Sequence, residues 1–419
     1  MLLLRLSWRN LWRNPKRSLL TAAAVASGFA FLIVLIGLME GTAEQMLRNG
    51  TGLLTGDIQV HHEAYLPERS LFDTLDEDQP IDLEALLEAL TAVPEVEAAA
   101  PRLYGFGLLS TGEDSSGAQL MGIDPEREPV LSSFLEGLES GTLLAGTPAH
   151  SLILGDALAE ELGASLGSEV AVVTQAADGS LGNDLFQVAG ILRTGITYLD
   201  RSIAVFHLSD LQVLLALEVD SSHEIALKIR DAMEADRISD RLEESELLPL
   251  KTRAVSWGEL SPQLRDYVGL AKGMNGFVIG IIALFCASGV LNTMMMAVFE
   301  RTREIGLITC LGMSPAVIVG TILLESFFLG LMGLALGFGA GVWAMSYLMV
   351  TGLDLSRWTG ELTMLGSRMD PVLRATWAWE SVGWSALGLL AATLIAALIP
   401  ARRAAFMRPF EAMTAPVEG

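Results

Sequence analysis

Four stretches of this chain are long, apolar and nearly free of charge: residues 18–38, 273–298, 316–350 and 381–399. An α-helix needs roughly 20 apolar residues to cross about 30 Å of hydrocarbon. Each stretch therefore predicts a membrane span, and the third is long enough that one end projects beyond the bilayer. A cleaved signal peptide is the rival reading of the first. It is too long for a typical signal core and no cleavage site follows it, so a retained anchor is expected. Pro400 is expected to stop the fourth span, with Arg402, Arg403 and Arg408 just after it.

Between the first two spans the pattern changes to short elements. Residues 56–62 (GDIQVHH) alternate like a strand, and residues 82–91 have the apolar spacing of a helix. Strands are predicted at 118–123, 167–173, 187–192, 202–206, 223–230 and 250–256, and helices at 156–162 and 231–244. The two outer parts of this block each read as strand–helix–strand, with a β-rich insertion between them.

Between the second and third spans lies VFERTREIGLITCLGM, residues 298–313. A linker this short is ordinarily a polar loop, but this one is helix-forming and amphipathic. Glu300, Arg301, Arg303 and Glu304 come first, then Ile305, Ile308 and Leu311 at helical spacing, closed by Gly312 and Pro315. It reads as a short helix on the membrane face with its charges outward. Such a helix either docks a partner in the water or simply anchors the loop.

Residues 1–17 hold Arg5, Arg9, Arg13, Lys16 and Arg17 among leucines, Trp8 and Trp12. The spacing of four places arginines on one face of an amphipathic helix suited to an anionic membrane surface.

Charge separates these parts further. The chain is 51% hydrophobic yet has a formal charge of −23. Residues 41–270 hold 40 acidic and 13 basic side chains, and the remainder 10 and 14. An acidic, water-soluble block is thus joined to a slightly basic membrane part. The basic flanks are the N-terminus, the Arg301/Arg303 loop and the C-terminal tail, which the positive-inside rule assigns to the cytoplasm. Four spans then place the acidic block and the Trp-rich segment (Trp358, Trp377, Trp379) outside. Acidic charge argues against nucleic acid as a partner. Both cysteines, Cys286 and Cys310, lie outside the block, so a packed core rather than a disulfide must stabilise it.

The sequence offers little for catalysis. Lys16, Lys228, Lys251 and Lys272 follow Pro, Leu, Leu and Ala, so there is no Gly-Lys-Ser/Thr phosphate loop. His61 and His62 are adjacent on a strand and face opposite sides, which does not suit chelation of one metal. His150, His207 and His223 form no ligand motif, and neither Gly-x-Ser-x-Gly nor HExxH is present. In the third span, Gly333, Gly337 and Gly341 recur every four residues, with Gly330 nearby. They suit close helix packing, either within the chain or at a seam with another subunit. Glu325 in the same span is costly in lipid, and is read either as the partner of a basic residue near the cytoplasmic entrance or as snorkelling to the interface. Asn292 in the second span is a further interhelical hydrogen-bond candidate.

Three segments carry a family resemblance: WRNLWRNPKRSLLT before the first span, RTREIGLITCLGMSP after the second and PARRAAFMRPFEAM at the end of the fourth. With the order of one span, a large outer domain and three more spans, they resemble the MacB, FtsX and LolC/LolE permeases. GDIQVHH and SLILGDALAEELGASLGSEV look most like the lipoprotein-release branch. The resemblance covers essentially the whole chain. It implies an α-helical membrane protein with four transmembrane helices plus an α+β extracytoplasmic domain, in which a porter-like subdomain holds a β-rich, Sabre-like insertion.

The expected organisation is then a cytoplasmic amphipathic helix (1–17), a first span (18–41) and a periplasmic domain (42–272). A second span (273–299), a coupling helix (300–314), a third span (315–350), a periplasmic interfacial segment (351–380), a fourth span (381–400) and a cytoplasmic tail (401–419) complete it.

By the same resemblance the chain is a non-catalytic permease subunit of the inner membrane. It binds no cofactor, ATP and Mg belonging to a separate ABC ATPase present in two copies. The other partners implied are a second permease chain, identical or homologous, membrane lipid, a lipoprotein or other amphipathic substrate, and a periplasmic adaptor or carrier. Glu300, Arg301, Arg303, Glu304, Ile305 and Gly306 would seat in a groove of the ATPase, whose closure would move the outer domain through the long helices. An FtsX-like regulator that activates a cell-wall hydrolase without transport is the alternative. A membrane-anchored enzyme has no motif in its favour.

Overall fold

The computed structural model describes residues 2–66, 70–354, 363–364, 367–368 and 372–407. Trp358, Arg408 and the rest of the tail, and residues 355–362, 365–366 and 369–371 of the interfacial segment, lie outside the described residues. The chain divides into two compact units, residues 1–44, 269–357 and 372–419 in one, 45–268 and 358–371 in the other.

The principal helices, in chain order, are α1 Leu2–Leu11, α2 Pro15–Gly50, α3 Leu83–Thr91, α4 Ala235–Glu243, α5 Pro262–Glu300, α6 Thr302–Cys310, α7 Pro315–Thr351 and α8 Trp379–Ala405. Among them α2, α5, α7 and α8 are long and apolar enough to cross a membrane. Two outrun their expected spans. The polar turns after residue 41 continue α2 to Gly50, and α5 starts at Pro262, ahead of its charge-free run.

The fourth span corrects an expectation. Pro400 does not end α8, which continues to Ala405. Proline removes one helical donor and crowds the preceding turn, but within a packed bundle neighbouring contacts sustain such a helix. Here Pro400 is buried, and Ala397, Ala401 and Ala404 beside it are at most 2% exposed. Arg402 and Arg403 then fall in the last helical turn, where cations favour the helix dipole.

In the first unit the glycine stripe of α7 meets α2. A Cβ at Gly333 would lie 2.7 Å from Val25 Cβ, one at Gly337 2.6 Å from the Ala26 carbonyl, and one at Gly341 2.7 Å from Ile33. Within this chain the stripe therefore lets α2 and α7 approach until their backbones nearly touch. Gly330 instead faces Leu390 and Thr393 of α8. Asn292 of α5 is exposed and makes no side-chain hydrogen bond among the described residues.

The second unit is built on β1 Ile58–His62, β2 Val96–Ser110, β3 Ser115–Ile123, β4 Leu138–Gly141, β5 Ser151–Gly155, β6 Glu169–Gln175, β7 Leu181–Leu192, β8 Ile203–His207, β9 Glu224–Ile229 and β10 Thr252–Ser256. The two outer strand–helix–strand parts interleave as an antiparallel sheet in the order β10-β1-β9-β2, the split βαβ arrangement. α3 and α4 cover it. Asp82 caps α3 by accepting from the Ala85 amide at 2.9 Å. Leu83, Leu86, Leu87 and Leu90 of α3, with Ile238 and Leu242 of α4, pack on Ile58, Val60, Leu227 and Ile229. Met46 and Leu47 from the end of α2, and Leu264 and Val268 from the start of α5, join the same core.

The insertion runs from the far half of β2 to β8. Its strands alternate between two buried faces: Leu120, Leu154, Phe186 and Phe206 on one, Met121, Ile153 and Val205 on the other. At the junction with the outer sheet, Arg102 of β2 is fully buried. Its Nη2 donates to Glu128 Oε1 at 2.6 Å and to Ser132 at 2.7 Å, and its Nη1 donates to Glu224 Oε1 at 3.4 Å. The Tyr104 hydroxyl donates to the same Glu224 oxygen at 2.9 Å. Two carboxylates and one guanidinium thus share a site closed to water, on the paired positions Arg102 and Glu224 of β2 and β9.

Candidate functional site

The sequence directs attention to the linker between the second and third spans, and the first unit shows how it is built. α5 ends at Glu300, one residue, Arg301, makes the joint, and α6 starts at Thr302. α6 ends in a Schellman turn. The Gly312 amide donates to Thr309 at 3.0 Å and the Met313 amide to Ile308 at 3.2 Å, with Gly312 at φ 94°. That left-handed conformation is why glycine stands there. Ser314 and Pro315 then open α7.

The expected outward display of charge is corrected in part. Arg301 points inward, where its Nη1 donates to Glu325 Oε1 at 3.1 Å and its Nη2 to the Asn10 carbonyl at 3.1 Å. Asn10 Nδ2 also donates to Glu325, at 2.5 Å. The side chains of Arg301 and Glu325 are only 11% and 9% exposed. The costly carboxylate of α7 is thus the partner of a basic residue, which lies at the α5–α6 joint.

Glu304 and Glu300 are exposed but are held by the N-terminal segment. Arg13 grips Glu304 with two parallel hydrogen bonds, 2.9 and 2.8 Å, the fork geometry that only arginine offers. That hydrogen bonding keeps the Glu304 carboxyl below its ordinary pKa and raises that of Arg13. Arg17 donates to Glu300 at 2.5 Å. Arg403 of α8 lies over the Phe299 ring, 5.2 Å from its centre.

α1 is fixed in turn to α7. Ser7, fully buried, donates to the Thr321 carbonyl at 3.2 Å, and Trp8 meets Phe328 edge-on with centroids 5.5 Å apart. Between α1, α5, α6 and α7 lies a cavity of about 260 Å³, with Leu6, Met294, Ile305 and Ile318 in its walls and Asn10, Arg301 and Glu325 at its polar end. α6 is therefore held by the Glu304 clamp, by the Arg301 joint before it and by Ile305 against the bundle core, over a space that side chains do not fill.

The outward surface of α6 is mixed. Arg303 and Glu304 are exposed, Leu307 is 56% exposed and Leu311 81%, whereas Gly306 is buried and Ile305 half-buried. Of the six residues expected to form a docking helix, Arg301, Ile305 and Gly306 thus serve mainly the inner side. Leu307 and Leu311 take their place outside. Asn10, Arg13 and Arg17 are the members that sequence reasoning missed. Their partners lie some 290 residues away, and the only signal was a basic helix that equally suits a membrane surface.

The fold is that of a membrane protein with four spanning helices and an α+β domain between the first two. The family described as the MacB-like periplasmic core domain matches residues 18–245, and the FtsX-like permease C-terminal family matches residues 276–409. The chain belongs to this family of ABC-transporter permeases.

Among its relatives, the lipoprotein-releasing system transmembrane protein LolC of Neisseria meningitidis serogroup B is 25% identical over 414 residues, covering 94% of this chain and 93% of that one. The corresponding LolE of Haemophilus influenzae is 22% identical over 424 residues, covering 98% of each. The pyoverdine export ATP-binding/permease protein PvdT of Pseudomonas savastanoi pv. phaseolicola is 24% identical over 359 residues, covering 80% of this chain and 51% of that one. Family membership and the four helices define an inner-membrane transmembrane subunit with a periplasmic domain.

Proposed function

We propose that this chain is the force-transmitting permease of an ATP-driven release system, with no catalytic residue or cofactor of its own. A separate ABC ATPase, two copies per assembly, binds the outer surface of α6 through Arg303, Glu304, Leu307 and Leu311. ATP and Mg stay on that subunit, and a second permease chain completes the pair. Both chain termini and α6 lie in the cytoplasm. The cargo is a lipoprotein or another amphipathic substrate freed from the inner membrane, with a periplasmic adaptor or carrier receiving it.

One observation carries this reading: the elbow between α5 and α6 is tied by ion pairs to other segments, Glu304 of α6 to Arg13 just before α2, Glu300 at the end of α5 to Arg17 of α2, and Arg301 of the joint to Glu325 of α7. A helix that only anchored a loop would need apolar packing rather than a bidentate clamp. A push on α6 passes through the Arg301 joint to α5 and, by these pairs, to the segment before α2, to α2 itself and to α7. The ends of α2 and α5 embedded in the core of the periplasmic domain supply the outlet. The names of the LolC and LolE relatives support the choice of cargo.

The Glu304→Lys variant tests the reading. Glu304 and Arg13 are about half exposed, so losing the pair costs at most about 1 kcal/mol and the chain stays folded. The new lysine faces Arg13 and the ATPase together, and a misplaced charge in an interface costs several kcal/mol. ATPase binding is expected to weaken by about tenfold or more, with loss of ATP-dependent substrate release from proteoliposomes. Unchanged binding and release would leave α6 as a mere anchor.

A further inference from the structure

The insertion carries an apolar surface that its own fold does not use. β2, β6 and β7 pair side by side, Leu108 opposite Val173 opposite Asn183, and Ser110 opposite Ala171 opposite Leu185. Residues alternate strictly between the two faces of this sheet. The inner face holds Leu109, Val170, Val172 and Phe186, each at most 1% exposed. The outer face presents Phe106 at 72% exposed, Leu108 at 48%, Leu181 at 69% and Leu185 at 58%, with Val173 between them. Four large apolar side chains on β2 and β7, the two strands that flank β6 and its Val173, are not the scattered hydrophobics of an ordinary surface.

Charge decides what covers this face. From residue 103 to residue 192 the chain holds thirteen Asp and Glu side chains and one basic one, Arg127. Arg127 is already spent on Glu84 and Asp124. Around the face, Glu169 shares its outer side, while Glu113, Asp114 and Asp178 occupy the hairpin turns at its ends. All four are exposed and make no ion pair among the described residues. A second copy of the same face would set these acids against each other, and anionic lipid headgroups would be repelled in the same way. An acyl chain gains little on an open sheet that leaves half of it in water. What fits is a polypeptide whose apolar contact surface is bordered by Lys and Arg.

We infer that the outer face of β2, β6 and β7 is a docking surface for a basic, amphipathic protein segment, with Phe106 and Leu185 as its anchors. The inference goes beyond the coupling reading and needs neither ATP nor the ATPase, so either can fail without the other.

The test uses the full chain in nanodiscs of zwitterionic lipid. The probe is a strand-forming peptide of alternating lysine and leucine, compared with its glutamate–leucine counterpart and with empty nanodiscs. The lysine peptide is expected to bind the chain more tightly than the empty discs, and more weakly as salt rises. In the Phe106→Ser/Leu185→Ser variant its affinity falls by about tenfold or more, as loss of buried anchors does. Neutralising Glu113, Asp114, Glu169 and Asp178 to their amides lowers it as well. Equal binding of the acidic peptide, or an affinity unmoved by the Phe106→Ser/Leu185→Ser change, overturns the inference. So does self-association of the wild-type chain that this same change abolishes.

Discussion

Replacing Arg102 with methionine is expected to destabilise the periplasmic domain by about 3–5 kcal/mol, the cost of leaving buried charge without its partner. Arg102, Glu128 and Glu224 have fully buried side chains. Burial alone would lower the Arg102 pKa, but Glu128 and its neighbours outweigh it and hold the guanidinium above its ordinary value. Without it, two carboxyl groups share a dry site with Tyr104 and Ser132, and one must take up a proton or the site must open. Hydrogen exchange of the amides of β2 and β9 reads this directly. Their protection should fall by about two to four orders of magnitude while that of α7 stays unchanged. The Arg102→Met/Glu128→Leu/Glu224→Leu variant should recover much of the loss, because an apolar replacement of a buried ion cluster is often neutral. A loss below about 1 kcal/mol for Arg102→Met alone would show the cluster to be wet.

The second large effect belongs to Arg301. Truncation to alanine leaves the Glu325 carboxylate with Asn10 as its remaining partner, beside the apolar cavity of the first unit. The expected cost is about 3 kcal/mol, at the low end for a broken buried pair because both side chains retain some exposure. It should appear as a lower thermal midpoint of the purified chain in detergent. The Arg301→Met/Glu325→Met variant separates stability from transmission. Its midpoint should return toward that of the wild type, whereas ATP-dependent substrate release should stay impaired, since the α5–α6 joint has lost its tie to α7. Full release by that double variant would show that the pair only stabilises the bundle.

Much of the architecture is written locally. Runs nearly free of charge mark the four spans, because charge over that length is costly in lipid. Asp82 with its leucine spacing marked α3, and GDIQVHH marked β1. The central strand β2 is harder to read, because Pro101, Gly105 and Gly107 break its alternation. The structure accommodates Pro101 where β3 has not yet begun to pair, its register starting at Arg102. Pro400 misleads for a related reason: tertiary packing sustains a helix that local chemistry would end.

The candidate site was half legible. Residues 300–306 stand out by amphipathicity, and Glu325 by its cost in lipid. Which way each charge points was not legible, because Arg13, Arg17 and Asn10 reach it from the other end of the chain.

The central claim is that α6 receives its input in the cytoplasm. The native cysteines make this measurable without substitution: Cys310 on α6 is exposed and Cys286 is buried. A membrane-impermeant maleimide should label Cys310 in inside-out vesicles and not in intact cells whose outer membrane has been permeabilised, and the bound ATPase should protect it. Labelling of Cys310 from the periplasmic side would place α6 beyond the reach of any ATPase and contradict the account.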